Sequence, residues 1–481
     1  MVDPECPGRA ERRTRFFALA AIALGCALRL TGLTLHSLWY DEGATLYLAT
    51  AADPVEALSG SRHPPAAIYT IRAWIGLAGE SDFALRLLPA LCSIVSLALV
   101  ARLSWLWLSG HARWIAVLLY AVAPFHLHYG QELTPYAFLE LGSLIAFQGL
   151  GAALARDRPR ALDLVLIALG TTYAFGSQYL GVLAGASVAG AAIVALASKR
   201  IRLGGAIQMI GASAIGGFVW LPWVLTVLPR QQETIWGNEA RTSLREIVEI
   251  PFRLFVVDAS ALPGTWHFVG YGVAGALWAA MALSILALWQ RERAEDRVLF
   301  AALAAPLLLA LVLAAAFKNF LPRYLTAASP MLTLAVARGI DSLRPRLAVP
   351  AALALALGLS IFTVFHRMGN RREDFRSACA DLEQRWRAGD ACVVVSGTPE
   401  LFAQGAVRHY LRQRPDILGS LGSLPPFQEG SVRIARGSSL HVIYRDNVYA
   451  EPDLTKLERT YARAEQSPLR FKIQYLRLEP K

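Results

Sequence analysis

Long apolar runs alternate with short polar segments along the first three quarters of the chain. A bilayer core of about 30 Å requires roughly 20 apolar residues per helix. Eleven runs fit, and they predict eleven membrane-spanning helices at about 16–35, 84–108, 114–129, 135–154, 161–176, 178–198, 204–228, 266–289, 298–317, 324–340 and 348–366. The runs at 114–129 and 161–176 are short, so we expect at least one to be broken or tilted.

The positions of the basic residues predict the orientation in the membrane. Arg9, Arg12, Arg13 and Arg15 precede the first span, and every second loop after it carries further arginine or lysine. Basic residues are enriched in cytoplasmic loops, so the N-terminus is expected in the cytoplasm. With an odd number of spans, residues from 367 onward are expected outside. The best interpretation is a multi-pass protein of a bacterial inner membrane.

The last quarter of the chain has a different pattern, with more charges and no long apolar run. We therefore predict a mainly α transmembrane domain over 1–366 and a small α/β module over 367–481, on the periplasmic side. The elements expected in the module are a helix with Phe375, Cys379, Leu382 and Trp386 on one face, a buried strand at 391–395, a helix at 399–413, and strands at 440–445 and 470–478.

Composition excludes several classes of protein. Of the 481 residues, 55% are hydrophobic and 17% are charged, which is too apolar for a soluble chain. The net charge of +11 is explained by the cytoplasmic loops, and no basic stretch is interleaved with aromatics as nucleic-acid binding requires. The five cysteines contain no CxxC pair. Cys379 and Cys392 could form a disulfide in an oxidising compartment, but two buried thiols are the favoured interpretation.

Candidate chemistry begins in the long first outer loop, at about 36–83. It starts with Trp39-Tyr40-Asp41-Glu42, two adjacent carboxylates next to two aromatic rings. A carboxylate there could remove a proton from a hydroxyl or hold a divalent metal ion. The alternative is that Asp41 only caps the amphipathic helix that follows.

Three further outer segments contain candidate binding residues. Arg62-His63-Pro64-Pro65 precedes an interfacial helix, and its cations could hold a phosphate. Gln131-Glu132 follows the third span and is a candidate for substrate or metal contact, or for capping of the fourth helix. His126 and His128 lie two apart, so a metal site shared by both is not expected.

The third segment joins the ninth and tenth spans. It contains Lys318, Arg323 and Tyr324, and Arg323 at the membrane edge suits a lipid phosphate. The alternative is that Arg323 only anchors the span at the interface.

Taken in order, these motifs resemble the family-39-like GT-C glycosyltransferases, which include the protein O-mannosyltransferases and the lipid A aminoarabinose transferase. The matching segments are Trp39-Tyr40-Asp41-Glu42, Arg62-His63-Pro64-Pro65, Ser81–Ala90, Gln131-Glu132 with Tyr136, and Pro322-Arg323-Tyr324-Leu325. They cover most of residues 1–345. Some relatives have lysine where this chain has His63, so Arg62 is expected to substitute for it as the phosphate ligand.

The resemblance implies a GT-C fold and a transferase that uses a polyprenyl-phosphate-linked sugar on the non-cytoplasmic face. It implies that Asp41 is the catalytic carboxylate with Glu42 beside it, that Glu132 supports the substrate or a metal, and that Arg323 binds the lipid phosphate. The acceptor would be a lipid, a glycan or a protein, and a divalent ion held by Asp41, Glu42 and Glu132 is the one cofactor considered. Gln131, Tyr136, Lys318 and Tyr324 are further candidates for substrate contact.

The alternative function is a flippase or transporter of lipid-linked sugars without enzymatic activity. A transporter typically has charges buried in mid-membrane and internal repeats. By sequence the spans are nearly free of charge, which favours the transferase.

Overall fold

The computed structural model describes residues 7–156, 158–235, 275–276, 279, 282–283, 294–316, 322–343, 345–369, 373–396, 400–422, 438–445, 461–466 and 473–480. The chain divides into two compact units. Unit 1 comprises Met1–Thr31, Val55–Thr70 and Leu87–Gly369, and unit 2 comprises Gly32–Pro54, Ile71–Arg86 and Asn370–Lys481.

In the described part of the chain up to residue 369, all regular secondary structure is helical. The helices are α1 (Pro7–Leu30), α2 (Tyr40–Thr50), α3 (Pro54–Ser59), α4 (Pro65–Ala78), α5 (Asp82–Trp107), α6 (Ala112–Val122), α7 (Pro124–Tyr129), α8 (Tyr136–Leu154), α9 (Ala161–Ser177), α10 (Val182–Ala197), α11 (Leu203–Phe218), α12 (Leu221–Thr226), α13 (Leu228–Ile235), α14 (Ala294–Ala316), α15 (Ser329–Asp341) and α16 (Pro345–Gly369). Short 3-10 turns cover Tyr179–Gly181 and Pro322–Leu325.

Three of the described helices are long and apolar enough to cross a membrane: Asp82–Trp107, Tyr136–Leu154 and Tyr179–Ala197. Five shorter apolar helices accompany them. The mainly helical fold is confirmed, whereas the count of eleven spans is not. The predicted span at 266–289 lies almost entirely outside the described residues.

The expected break in a short span is present between α6 and α7. Pro124 begins α7 after an extended Ala123, because proline at the first helical position cannot donate the backbone hydrogen bond that would continue α6. This break turns the chain so that His126 and His128 belong to a separate short helix.

Small residues allow close helix packing in unit 1. A methyl group at Gly142 of α8 would lie 2.6 Å from the backbone nitrogen of Ala174, and α9 places Gly170 beside Ala146 in the same way. Close backbone approach at glycine is the usual packing mode of membrane helices.

The expectation that the spans are nearly free of charge is wrong, and the clearest exceptions are one basic and one acidic residue of unit 1. Arg29 on α1 and Glu140 on α8 are buried in unit 1, at 0% and 3% exposure. The Arg29 guanidinium donates to Ser93 Oγ at 2.8 Å and to the Ala121 carbonyl at 3.1 Å. Buried charges in apolar helices are tolerated when such partners satisfy them.

Unit 2 contains a mixed five-stranded sheet with helices from the tail. Its tail elements are α17 (Phe375–Arg385), β1 (Ala391–Ser396), α18 (Glu400–Tyr410), α19 (Pro415–Ser420), β2 (Leu421–Gly422), β3 (Leu440–Arg445), β4 (Tyr461–Gln466) and β5 (Ile473–Pro480). The strand order is β2-β1-β3-β5-β4, with β1 parallel to β2 and β3, and β5 antiparallel to β3 and β4.

The predicted elements of the tail are confirmed within a few residues, and α19, β2 and β4 are additions. Trp386 is the exception, because its backbone is extended just beyond the end of α17. Phe375, Cys379 and Leu382 are buried on one face of α17, as the helical spacing indicates. Cys379 and Cys392 are buried free thiols, which agrees with the favoured interpretation. The division at 366/367 stays a prediction, since unit 2 also takes in two segments of the first outer loop.

Candidate active site

The first acidic motif lies at the start of α2 in unit 2. Asp41 is partly exposed, whereas the Glu42 side chain is completely buried. Glu42 Oε1 accepts from Arg86 Nε at 2.8 Å, and Oε2 accepts from Arg86 Nη2 at 2.6 Å. Glu42 Oε2 also accepts from the Trp39 backbone N–H at 3.2 Å, at the first turn of the helix. Two adjacent carboxylates therefore have different environments.

Arg86 fixes the loop that leads to Asp41. Besides Glu42, its guanidinium donates to the carbonyl oxygens of Leu33, His36 and Ser37, at 2.9, 2.7 and 2.8 Å. A buried arginine with all these acceptors is fully hydrogen-bonded and holds a planar geometry. The backbone before α2 is consequently fixed through one side chain.

The second acidic motif forms the turn between α7 and α8 in unit 1. Glu132 is 1% exposed and lies 3.0 Å from His128 Nε2. The side-chain amide of Gln131 donates to the carbonyls of Leu28, Arg29 and Thr31 at 3.1, 2.9 and 2.9 Å. The last carbonyls of a helix have no partner within the helix, so Gln131 satisfies the end of α1.

The two histidines of α7 contact different acids, as their spacing predicts. His126 Nδ1 lies 2.8 Å from Glu140 Oε1, and both side chains are buried. Ser329 donates to the same carboxylate oxygen at 3.2 Å, and the Tyr120 ring lies 4.0 Å from the His126 ring. Sequence reasoning missed Glu140; its signal was an acid inside an apolar run.

Basic side chains form a group in unit 1. Burial and the charges of Arg323 and Arg62 lower the pKa of His63 to about 4, so His63 is neutral near pH 7 while two guanidinium groups lie close to it. Arg62 is exposed, and the Arg323 guanidinium lies 5.6 Å from the centre of the Tyr136 ring. One unit thus contains Arg62, His63, Arg323 and Tyr136, as a shared binding role requires.

Two predicted contacts lie outside what the structure describes. Lys318 falls in the undescribed segment 317–321, and for Tyr324 only the backbone, in a 3-10 turn, is described. No group of three or more His, Cys, Asp or Glu side chains suited to a metal occurs among the described residues. Both oxygens of Glu42 already accept from Arg86, so this carboxylate is bonded within the protein's own structure.

Comparison with known families gives one match. The sequence model of the family described as dolichyl-phosphate-mannose-protein mannosyltransferase matches residues 62–225. No curated protein sequence matches the chain significantly.

Solved structures match over almost the whole chain. ArnT from Cupriavidus metallidurans is 12% identical in its apo state, with a TM-score of 0.62, over 95% of this chain and 97% of that chain. The same enzyme bound to undecaprenyl phosphate matches over the same shares with a TM-score of 0.60. An apo oligosaccharyltransferase from Archaeoglobus fulgidus is 11% identical, with a TM-score of 0.54, over 95% of this chain and 74% of that chain.

The chain therefore has the GT-C fold of these enzymes. The resemblance that the ordered motifs indicate is confirmed by the family match and by the fold. The matched segment 62–225 includes the Arg62-His63-Pro64-Pro65 and Gln131-Glu132 motifs.

Proposed function

We propose that this protein is a membrane glycosyltransferase that moves a sugar from a polyprenyl-phosphate donor to a lipid, glycan or protein acceptor. The observation that carries the proposal is the group formed by Arg62, His63 and Arg323 in a chain with this fold. The similar enzyme ArnT binds undecaprenyl phosphate, and two neighbouring guanidinium groups, one exposed and one partly exposed, suit the phosphate of such a lipid.

Asp41 is the general base in this proposal. It removes the proton from the acceptor hydroxyl while that oxygen attacks the anomeric carbon, and the bond from that carbon to the phosphate oxygen breaks. Polyprenyl phosphate leaves with its negative charge next to Arg323 and Arg62. A single direct displacement inverts the anomeric centre. Partial exposure suits Asp41 to this role, because a base has to reach the acceptor.

Glu42 and Gln131 act as positioning residues rather than as substrate contacts. Glu42 is bonded to Arg86, and Gln131 is bonded to the end of α1. Glu132, next to His128, supports the substrate or a divalent ion. If the enzyme used such an ion, a carboxylate such as that of Glu132 would be one of its ligands, and the ion would offset the charge of the departing phosphate.

The proposed location is the bacterial inner membrane, with a cytoplasmic N-terminus and chemistry on the periplasmic face. The basic residues of the alternate loops support this orientation. A flippase without enzymatic activity is the alternative. The buried Arg29 and Glu140 are a feature that favours it, but their partners within unit 1 also explain them as a structural network.

The test is retention of undecaprenyl phosphate by the purified protein, measured by native mass spectrometry. We expect wild-type protein to retain the lipid, Arg323→Ala to bind it roughly tenfold to a hundredfold more weakly, and Arg323→Lys to recover part of the loss. Losing a charge-assisted hydrogen bond costs about 1.5–3 kcal/mol.

The matched control is Arg113→Ala, which removes a partly buried arginine that pairs with Glu11 at 3.2 Å, at the start of α6 and on the side predicted to be cytoplasmic. It should bind like the wild type. Equal retention by Arg323→Ala and wild-type protein would show that Arg323 only anchors a helix.

A further inference from the structure

Residues of the C-terminal module make direct bonds to the backbone around Asp41, all within unit 2. Glu373 Oε2 accepts from the Tyr40 backbone N–H at 2.9 Å, directly before Asp41. Glu373 is 6% exposed, so this bond is shielded from water. A carboxylate at the first turn of a helix satisfies a donor that has no partner within the helix and stabilises the positive end of its dipole.

A second bond from the module is made by Tyr410, the last residue of α18. Its hydroxyl oxygen accepts from the Leu38 backbone N–H at 2.7 Å and donates to Asp82 at 3.2 Å. Burial and the nearby Asp82 carboxylate raise the pKa of Tyr410 to about 12. The hydroxyl therefore keeps its proton at physiological pH and can make both bonds.

The third contact is backbone against backbone. Gly405 of α18 lies so close to α2 that a methyl group there would collide with the Gly43 carbonyl oxygen, and would lie 2.7 Å from its carbon and 3.1 Å from Tyr47 Cβ. Only glycine fits a helix crossing this close, and a side chain at 405 would have to push α18 away from α2. Gly43 is two residues beyond Asp41.

Arg376 of α17 completes the contacts. Its backbone N–H donates to Ser37 Oγ at 3.1 Å, and its guanidinium donates to the His36 carbonyl at 3.0 Å. It also bonds to Asp82 Oδ2 at 2.5 Å. Donors and acceptors from the module thus reach the chain at 36, 37, 38 and 40, immediately before Asp41.

We propose that the C-terminal module is a positioning element for Asp41, with Glu373, Gly405 and Tyr410 as its positioning residues. The inference rests on the proposed function for the role of Asp41. The contacts that the module makes with residues 36–43 are a property of unit 2 alone. A general base loses efficiency steeply when it is displaced from its hydroxyl, by up to about a hundredfold for 1 Å. The module therefore acts on turnover without touching substrate.

The experiment compares four variants of the full-length protein: Gly405→Ala, Glu373→Ala, Glu373→Gln and the control Gly419→Ala. Gly419 belongs to the same module, and a methyl group there meets nothing within 4 Å. Hydrogen exchange of the peptide covering 36–43 reports the Leu38 and Tyr40 amides directly. Kinetics then separate the turnover number from the affinity for the donor.

In Glu373→Ala we expect exchange at 36–43 to be on the order of fivefold to tenfold faster, and faster still in Gly405→Ala. The kcat should fall roughly tenfold or more in both, with donor affinity within about twofold of wild type. Glu373→Gln keeps an oxygen that accepts from Tyr40 and should restore both quantities. Gly419→Ala should match the wild type.

Unchanged exchange at 36–43 in Glu373→Ala would overturn the proposal, even if Gly405→Ala failed to fold. Failure of Glu373→Gln to restore kcat would overturn it as well. If wild-type protein bound no polyprenyl phosphate and transferred no sugar, the proposed function would fail, while the exchange measurement would still decide whether the module fixes this segment.

Discussion

The two acidic motifs each combine one side chain that binds the protein's own structure with one candidate for chemistry, in opposite order. In Asp41-Glu42 the second residue has the structural role, because the Glu42 carboxylate is bonded to buried Arg86. In Gln131-Glu132 the first residue has the structural role, because the Gln131 side-chain amide donates hydrogen bonds to the last carbonyls of α1. Adjacent side chains of a turn or a helix start point in different directions, so one fixes the backbone and the other faces elsewhere.

The two motifs also differ in the burial of the acid that is left for chemistry, which is Glu132 in one motif and Asp41 in the other. Glu132 is buried beside His128, and the neighbouring histidine of α7, His126, pairs with buried Glu140 of α8. Asp41 is partly exposed and follows a segment fixed by Arg86 and by the tail. Exposure favours Asp41 for direct contact with an acceptor, and burial favours Glu132 for support.

The largest effect is expected from Glu42→Gln, and it should be an effect on stability. The substitution removes the charge that compensates Arg86, which is 3% exposed. Breaking a buried ion pair on one side costs about 3–5 kcal/mol. Thermal unfolding in detergent should show a clear decrease in Tm. Glu11→Gln is the control, because the ion pairs of Glu11 with Arg15 and Arg113 are partly exposed to water and their loss should change Tm little. A Tm of Glu42→Gln equal to that of the wild type would contradict the structural role of Glu42.

Asp41→Asn should give the opposite result, with normal stability and a loss of turnover. Asparagine has the same size and caps a helix about as well as aspartate, but it cannot accept the proton. We expect turnover to fall roughly a hundredfold or more, with the donor still bound. Steady-state kinetics with purified protein and a Tm measured in parallel distinguish catalysis from capping. Near-normal transfer by this variant would move the assignment of the base to Glu132.

These two variants also indicate what the sequence could and could not establish. The helices, the break at Pro124 and most strands of the tail follow from apolar runs and proline positions, which are local properties. The ordered motifs locate the acids and the basic residues. The ion pair of Glu42 depends on Arg86, 44 residues away, and the bond to the Tyr40 amide before Asp41 comes from Glu373, more than 300 residues away. No local pattern predicts such pairings, because they depend on tertiary packing.

The smallest expected effect concerns the basic group and pH. In the free protein burial and two arginine charges keep the pKa of His63 near 4, so protonated His63 is disfavoured at neutral pH. A bound phosphate offsets those charges and raises this pKa, so donor binding takes up a proton. As the pH falls from 7 to 5, donor affinity should therefore increase by about threefold per pH unit, below the limit of tenfold per pH unit that the uptake of one proton sets. A polyprenyl-phosphate-linked sugar suits the measurement, since its phosphodiester keeps one charge over this range.

His63→Gln should bind with the same affinity at both pH values. A wild-type affinity that is independent of pH, or one that decreases in acid, would show that His63 does not face the donor phosphate, and would leave Arg62 and Arg323 as its ligands.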